Sequence, residues 1–196
     1  MKMYRAVPEA GFDSTKVYGP QVTKRMPSNV PFLVDNVWEM LRPCNAPSRR
    51  HAVYASPTPE LALVNASAAG ADPSCYVACE VVTSGEGILL AHLQVTDARL
   101  HPDIARIVRM VSEYQGREFA ELSLEEKMTH GALYLPAIGE NDLFSYLQKT
   151  VAGRDLCWRL GRFSTFWSDA SCKQQERNGE LFFQLPVGGS YVLKPL

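Results

Sequence analysis

Strand-like runs sit at the two ends of this chain, and the stretch between them is spaced like helices. Met3-Tyr4-Arg5-Ala6-Val7 reads as a short strand stopped by Pro8. Glu180-Leu181-Phe182-Phe183-Gln184-Leu185 and Ser190-Tyr191-Val192-Leu193 read as two strands around the turn Pro186-Val187-Gly188-Gly189. Residues 101–115, 118–130 and 141–151 instead have the look of helices. The second is opened by the capping arrangement Ser123-Leu124-Glu125-Glu126 or by an earlier start near Glu118. The two periods demand different elements, so the chain is α+β, with strands from its outer parts and helices from its middle.

Other segments fill in the plan. Phe32 to Leu41 carries apolar residues at helical intervals and ends at Arg42-Pro43, an amphipathic helix expected to face the core. Ala52-Val53-Tyr54-Ala55 is a strand that passes through Ser56-Pro57-Thr58-Pro59 into a helix at Glu60, which Gly70-Ala71-Asp72-Pro73 closes. Cys75 to Thr83 is β-rich, and the turn Ser84-Gly85-Glu86-Gly87 joins it to Ile88–Leu93 as a hairpin. Glu9 to Pro31 is rich in turn residues and is expected to be a surface loop.

At 196 residues and 46% hydrophobic composition the chain can bury a core as a single domain, 1–196. Its 20 basic and 21 acidic residues leave a net charge of −1, so no field exists for general nucleic-acid binding, although the local pair Arg49-Arg50 stays open as a basic patch. No long apolar core follows Lys2, so no cleavable signal peptide is expected, and no apolar run approaches the ~20 residues of a membrane span. Five cysteines, an odd number, fit reduced thiols and a cytoplasmic setting.

Several chemistries lack their motifs. Cys75 and Cys79, four apart in an expected strand, read as a core pair on one side, and no second pair or nearby histidine completes a zinc set. His51, His92, His101 and His130 have no metal-helix spacing, so no metal is expected. Neither a Gly-x-Ser-x-Gly elbow nor a Gly-rich phosphate loop occurs. A cysteine hydrolase stays open, because five cysteines and four histidines allow many pairings.

Three places remain, each with a plain structural reading. Arg5 is an edge-strand charge that can pair with Glu9 or Asp13. Ser56 or Thr58 is a helix N-cap with proline in the first turn. Glu180 is a turn residue ahead of a strand.

Taken in order, Tyr4-Arg5, then Val53-Tyr54-Ala55-Ser56-Pro57-Thr58, then Glu180-Leu181-Phe182-Phe183 resemble the mono-ADP-ribosyltransferases of the Arg-Ser-Glu type. The resemblance covers residues 3–66 and 176–196. It implies a core of two small packed β-sheets with flanking helices, interrupted at about 90–165 by a mostly helical insertion. It also implies that Arg5 holds the pyrophosphate of NAD, that Ser56 with Thr58, preceded by Tyr54, lines the nicotinamide pocket, and that Glu180 is the catalytic residue at the nicotinamide ribose. These residue types suit the chemistry. Cleaving the bond to nicotinamide builds positive charge on the ribose carbon, which a fixed carboxylate stabilises. The planar fork of arginine makes paired contacts with pyrophosphate. The sequence departs from the family in having Ser-Pro-Thr for Ser-Thr-Ser and Asn178 two residues before Glu180, where many members have Glu or Gln. Phe163-Ser164-Thr165-Phe166 is a rival hydroxyl segment, with no amphipathic helix expected after it.

The implied activity is NAD-dependent transfer of ADP-ribose to a macromolecular acceptor, a protein of the host or target. The implied setting is a bacterial or phage toxin or effector, cytoplasmic or delivered without a cleavable signal. The alternative is a non-catalytic binding or inhibitor protein with a degenerate version of the same fold.

Overall fold

The computed structural model describes residues 2–27, 29–67, 72–116, 121–171 and 179–196. Along them run β1 (Tyr4–Pro8), β2 (Val17–Tyr18), α1 (Phe32–Met40), β3 (Val53–Ala55), α2 (Pro59–Ser67), β4 (Tyr76–Ser84) and β5 (Leu89–His92). Then follow α3 (Asp103–Tyr114), α4 (Leu124–Tyr134), α5 (Glu140–Gln148), α6 (Val151–Phe163), α7 (Phe166–Ser171), β6 (Leu181–Gln184) and β7 (Ser190–Pro195). The class is α+β with two small antiparallel sheets. The chain divides into a sheet unit (Met1–Thr23, Asn45–Asp97, Asp169–Leu196) and a helical unit (Lys24–Cys44, Ala98–Ser168). No described helix is long and apolar enough to cross a membrane.

In the sheet unit one sheet has the order β1-β4-β7-β2 and the other β3-β6-β5. Leu181 and Phe183 of β6 pack against Cys79 and Val81 of β4 and Tyr191 and Leu193 of β7, so the sheets share one apolar core. Neither expected hairpin forms: β4 and β5 lie in different sheets, and so do β6 and β7. Both turns instead carry the chain across from one sheet to the other. Gly85 (φ +124), Gly87 (φ +78) and Gly188 (φ +80) supply the left-handed backbone these turns need, and a Cβ on Gly85 would lie 3.1 Å from the Cα of Gly189. Sequence adjacency favoured hairpins, but Leu181, Phe182 and Phe183 are all buried. Such a strand belongs at a sheet centre with a partner on each side, here β3 and β5.

The expected core pair of cysteines is also absent. Asp72 accepts a hydrogen bond from the Ser74 amide (2.9 Å) and caps a 3-10 turn over Pro73–Cys75, so Cys75 leaves the strand and is exposed while Cys79 is buried. The Glu9–Pro31 stretch contains β2, whose two residues pair with β7.

In the helical unit α1 is buried nearly all round, Asp35, Asn36 and Glu39 included, so it is a central helix rather than an amphipathic one. Its polar groups are accounted for by neighbours: the Asn36 amide donates to the carbonyls of Leu133 (2.9 Å) and Leu135 (2.8 Å) at the end of α4. Ser123 and Glu126 form the expected capping box of α4. The alternative start near Glu118 lies outside the described residues, as do Gly70 and Ala71, Cys172 and Asn178. Two helices were not expected. The third predicted helix stops at Gln148, Thr150 then caps α6 by accepting from the Gly153 amide (3.0 Å), and Asp103 caps the start of α7.

Candidate functional site

Side chains alternate along a strand, and Met3 and Val7 both pack into the shared core, so Arg5 between them points to the same inward face. An inward arginine among apolar neighbours is expensive unless something takes its charge. Arg5 is half-buried, and its Nη1 donates to the Tyr191 hydroxyl at 2.9 Å. No described carboxylate pairs with it. The surface-ion-pair reading therefore does not hold: Asp13 accepts from the amide (2.8 Å) and hydroxyl (2.6 Å) of Thr15, which lower its pKa, and Glu9 is exposed.

Ser56 sits where the two sheets touch. Its amide donates to the Tyr4 carbonyl (2.7 Å) and its carbonyl accepts from the Tyr4 amide (2.8 Å), an isolated bridge between the edge strands β1 and β3. Ser56 is buried, and its Oγ accepts from Asn65 of α2 (3.2 Å). Thr58 has the helix-start role: its Oγ1 accepts from the Leu61 amide at 3.2 Å.

Glu180 leads into β6 and is half-buried. Its amide donates to the Val95 carbonyl and its own carbonyl accepts from Leu93, both at 2.9 Å. On the other edge of β6, β3 pairs as Val53↔Phe183, Tyr54↔Phe182 and Ala55↔Leu181, and one further step of this register sets Ser56 opposite Glu180. Opposite each other, Ser56 and Glu180 share one face of this sheet, the face of Tyr54 and Phe182 rather than that of Leu181 and Phe183, whereas Arg5, next along β1 from the bridged Tyr4, points into the core between the sheets. Tyr54, two residues before Ser56, lies on that same face. Its ring lies 5.8 Å from Phe182, on the face of β6 opposite Leu181 and Phe183, with Arg49 stacked over both rings and the Tyr54 hydroxyl donating to the Arg49 carbonyl (3.1 Å).

Reading the sequence missed Gly179 and Tyr191. A Cβ at Gly179 would fall on the carbonyl oxygens of Leu93 and Val95, the two residues whose amide and carbonyl, respectively, hold the Glu180 backbone. Gly179→Ala is expected to lower stability by about 1–3 kcal/mol through displaced backbone, measurable by urea unfolding. An unchanged midpoint would show that the 93–95 strap yields freely. The signal for Tyr191 was its inward alternation with Leu193.

The rival segment has a structural task. Fully buried Asp103 accepts from the Ser164 hydroxyl (2.5 Å), the amides of Thr165 and Phe166 (2.9 Å each) and Arg106 (2.6 Å). The Ser164 hydroxyl is thus spent on Asp103, whose own amide donates to His101 Nδ1 (3.2 Å). No metal-binding group of His, Cys, Asp and Glu exists among the described residues. Burial pushes the thiols of Cys79 and Cys157 up, away from the reactive thiolate a cysteine hydrolase needs.

No protein-family model matches the chain, and neither does any curated protein or any solved structure.

Proposed function

We propose that the protein transfers ADP-ribose from NAD to a macromolecular acceptor, with the site at the junction of the two sheets. The observation that carries this is the inward, half-buried guanidinium of Arg5, which no described carboxylate neutralises, one residue from the Tyr4–Ser56 bridge. A half-buried cation provided with a neutral phenol suits a site that receives an anion, and the arginine fork makes paired contacts with pyrophosphate. Ser56 and Glu180, side by side on the adjoining ladder, are the hydroxyl and carboxylate that cleavage at a ribose carbon requires. Glu180 stabilises the developing positive charge, Arg5 holds the diphosphate, and Ser56 orients the groups at the sheet junction. NAD is the co-substrate and no metal takes part in this scheme.

A second reading is a non-catalytic binding protein with a degenerate version of the fold. It is favoured by the hydroxyl of Thr58, taken up by the α2 cap, and by the alternation that sets Ser56 and Glu180 on the face away from the core into which Arg5 points. NAD distinguishes the two. Under the enzymatic reading, NAD at about a hundredfold excess over its Kd stabilises the native state by about 2.7 kcal/mol and raises the melting temperature by roughly 5–10 °C. Arg5→Ala should abolish most of that rise, and labelled NAD incubated with a cell lysate should mark acceptor bands. A flat thermal titration in millimolar NAD, with no labelled band, would overturn the reading.

A further inference from the structure

Arg5 and Tyr191 meet although 186 residues separate them in sequence. We propose that Tyr191 is the positioning residue of the anion site: its phenol oxygen holds one arm of the Arg5 guanidinium so that the remaining N–H groups are presented to a pyrophosphate. This inference rests on the reading of Arg5 given above and adds the residue that aims it.

The chemistry of the pair favours that role. Arginine has five N–H donors on a long stem with about 2 kcal/mol of rotamer entropy, so an unrestrained Arg5 loses affinity each time it is ordered by ligand. A carboxylate would order it as well, but would also cancel the charge that attracts the anion. A phenol restrains one donor and leaves the charge whole.

Tyr191 is itself held rigidly. It is 5% exposed, stacks on Tyr18 with ring centroids 4.8 Å apart and planes 13° apart, and meets Phe183 edge-on at 5.6 Å. Tyr18 is its register partner, and β2 contains only Val17 and Tyr18. The Lys16 ammonium lies 5.1 Å from the Tyr18 ring centroid. The short β2 strand therefore works as a clamp on Tyr191. Preorganisation of this kind raises affinity by removing an ordering cost rather than by adding a contact.

The test compares wild type, Tyr191→Phe, Arg5→Lys and the double variant, all as the full chain. Calorimetric titration uses two probes, inorganic pyrophosphate and NAD. Phenylalanine keeps the ring that stacks on Tyr18 and removes the hydroxyl that accepts from Arg5, so Tyr191→Phe should fold normally and bind both probes about tenfold more weakly, the usual scale for a hydrogen bond to a charged group. Arg5→Lys should lose at least as much, and the double variant no more than Arg5→Lys alone, because Tyr191 acts only through Arg5. In turnover the Tyr191→Phe loss should fall on KM with kcat within about twofold. A melting-temperature change with unaltered affinity for both probes would reduce Tyr191 to a packing role and overturn the proposal, as would full additivity in the double variant. If wild type binds pyrophosphate but not NAD, the transferase reading fails while the pyrophosphate titrations still decide this one. If wild type binds neither probe, both fall together.

Discussion

Glu180→Gln is expected to lower NAD cleavage and transfer by about 10²- to 10³-fold while leaving the fold and NAD affinity nearly intact. Glutamine keeps the shape of glutamate and its capacity to hydrogen-bond a ribose hydroxyl, but deletes the charge that opposes the positive carbon of the transition state. Because that charge matters most at the transition state, the loss belongs in kcat rather than in binding. The backbone of Glu180 is held through the carbonyl of Val95 and the amide of Leu93, which the substitution leaves in place, so the fold should persist. Glu176, outside the described residues, is the control on the same segment. Wild-type turnover by Glu180→Gln would eliminate the mechanism. Loss confined to Glu176→Gln would move the catalytic carboxylate four residues upstream.

In the helical unit the largest expected effect is on stability. Asp103→Ala leaves the Ser164 hydroxyl, the Thr165 and Phe166 amides and Arg106 without their shared acceptor, and removing one member of such a buried network typically costs about 3–5 kcal/mol. Burial pushes the Asp103 carboxyl up, but the hydrogen bonds from Ser164, Thr165 and Phe166, with His101 nearby, outweigh it and leave the carboxyl below the ordinary aspartate value. The sign follows from linkage. A carboxyl with its folded pKa lowered contributes stability that is fully present above the unfolded value of about 3.9 and is lost as pH falls through the folded value. Chemical unfolding of wild type and Asp103→Asn should therefore differ most near neutral pH and converge in acid. A gap that stays constant down to about pH 2 would mean that charge on Asp103 contributes nothing.

The alternation of Met3, Arg5 and Val7, the joint Ser56-Pro57-Thr58-Pro59, the capping box at Ser123 and the strands at both ends were legible because each depends on neighbours a few residues away. These local features determined the α+β class and the positions of most elements, and they named Arg5, Ser56 and Glu180 as residues to watch. They could not decide pairing. The Gly85–Gly87 and Pro186–Gly189 turns look alike whether the chain folds back on its own sheet or crosses to another, and only the demand of β6 for cover on both faces sends them across. The same demand sets the register that brings Ser56 opposite Glu180, on the face that carries Tyr54 and Phe182. Ser164 and Thr165 matched a hydroxyl motif as well as Ser56 and Thr58 did, until buried Asp103, some sixty residues earlier, claimed them. Burial decides such cases: a polar group taken out of water must find a partner, and which partner it finds depends on segments far apart in sequence that only the packed core brings together.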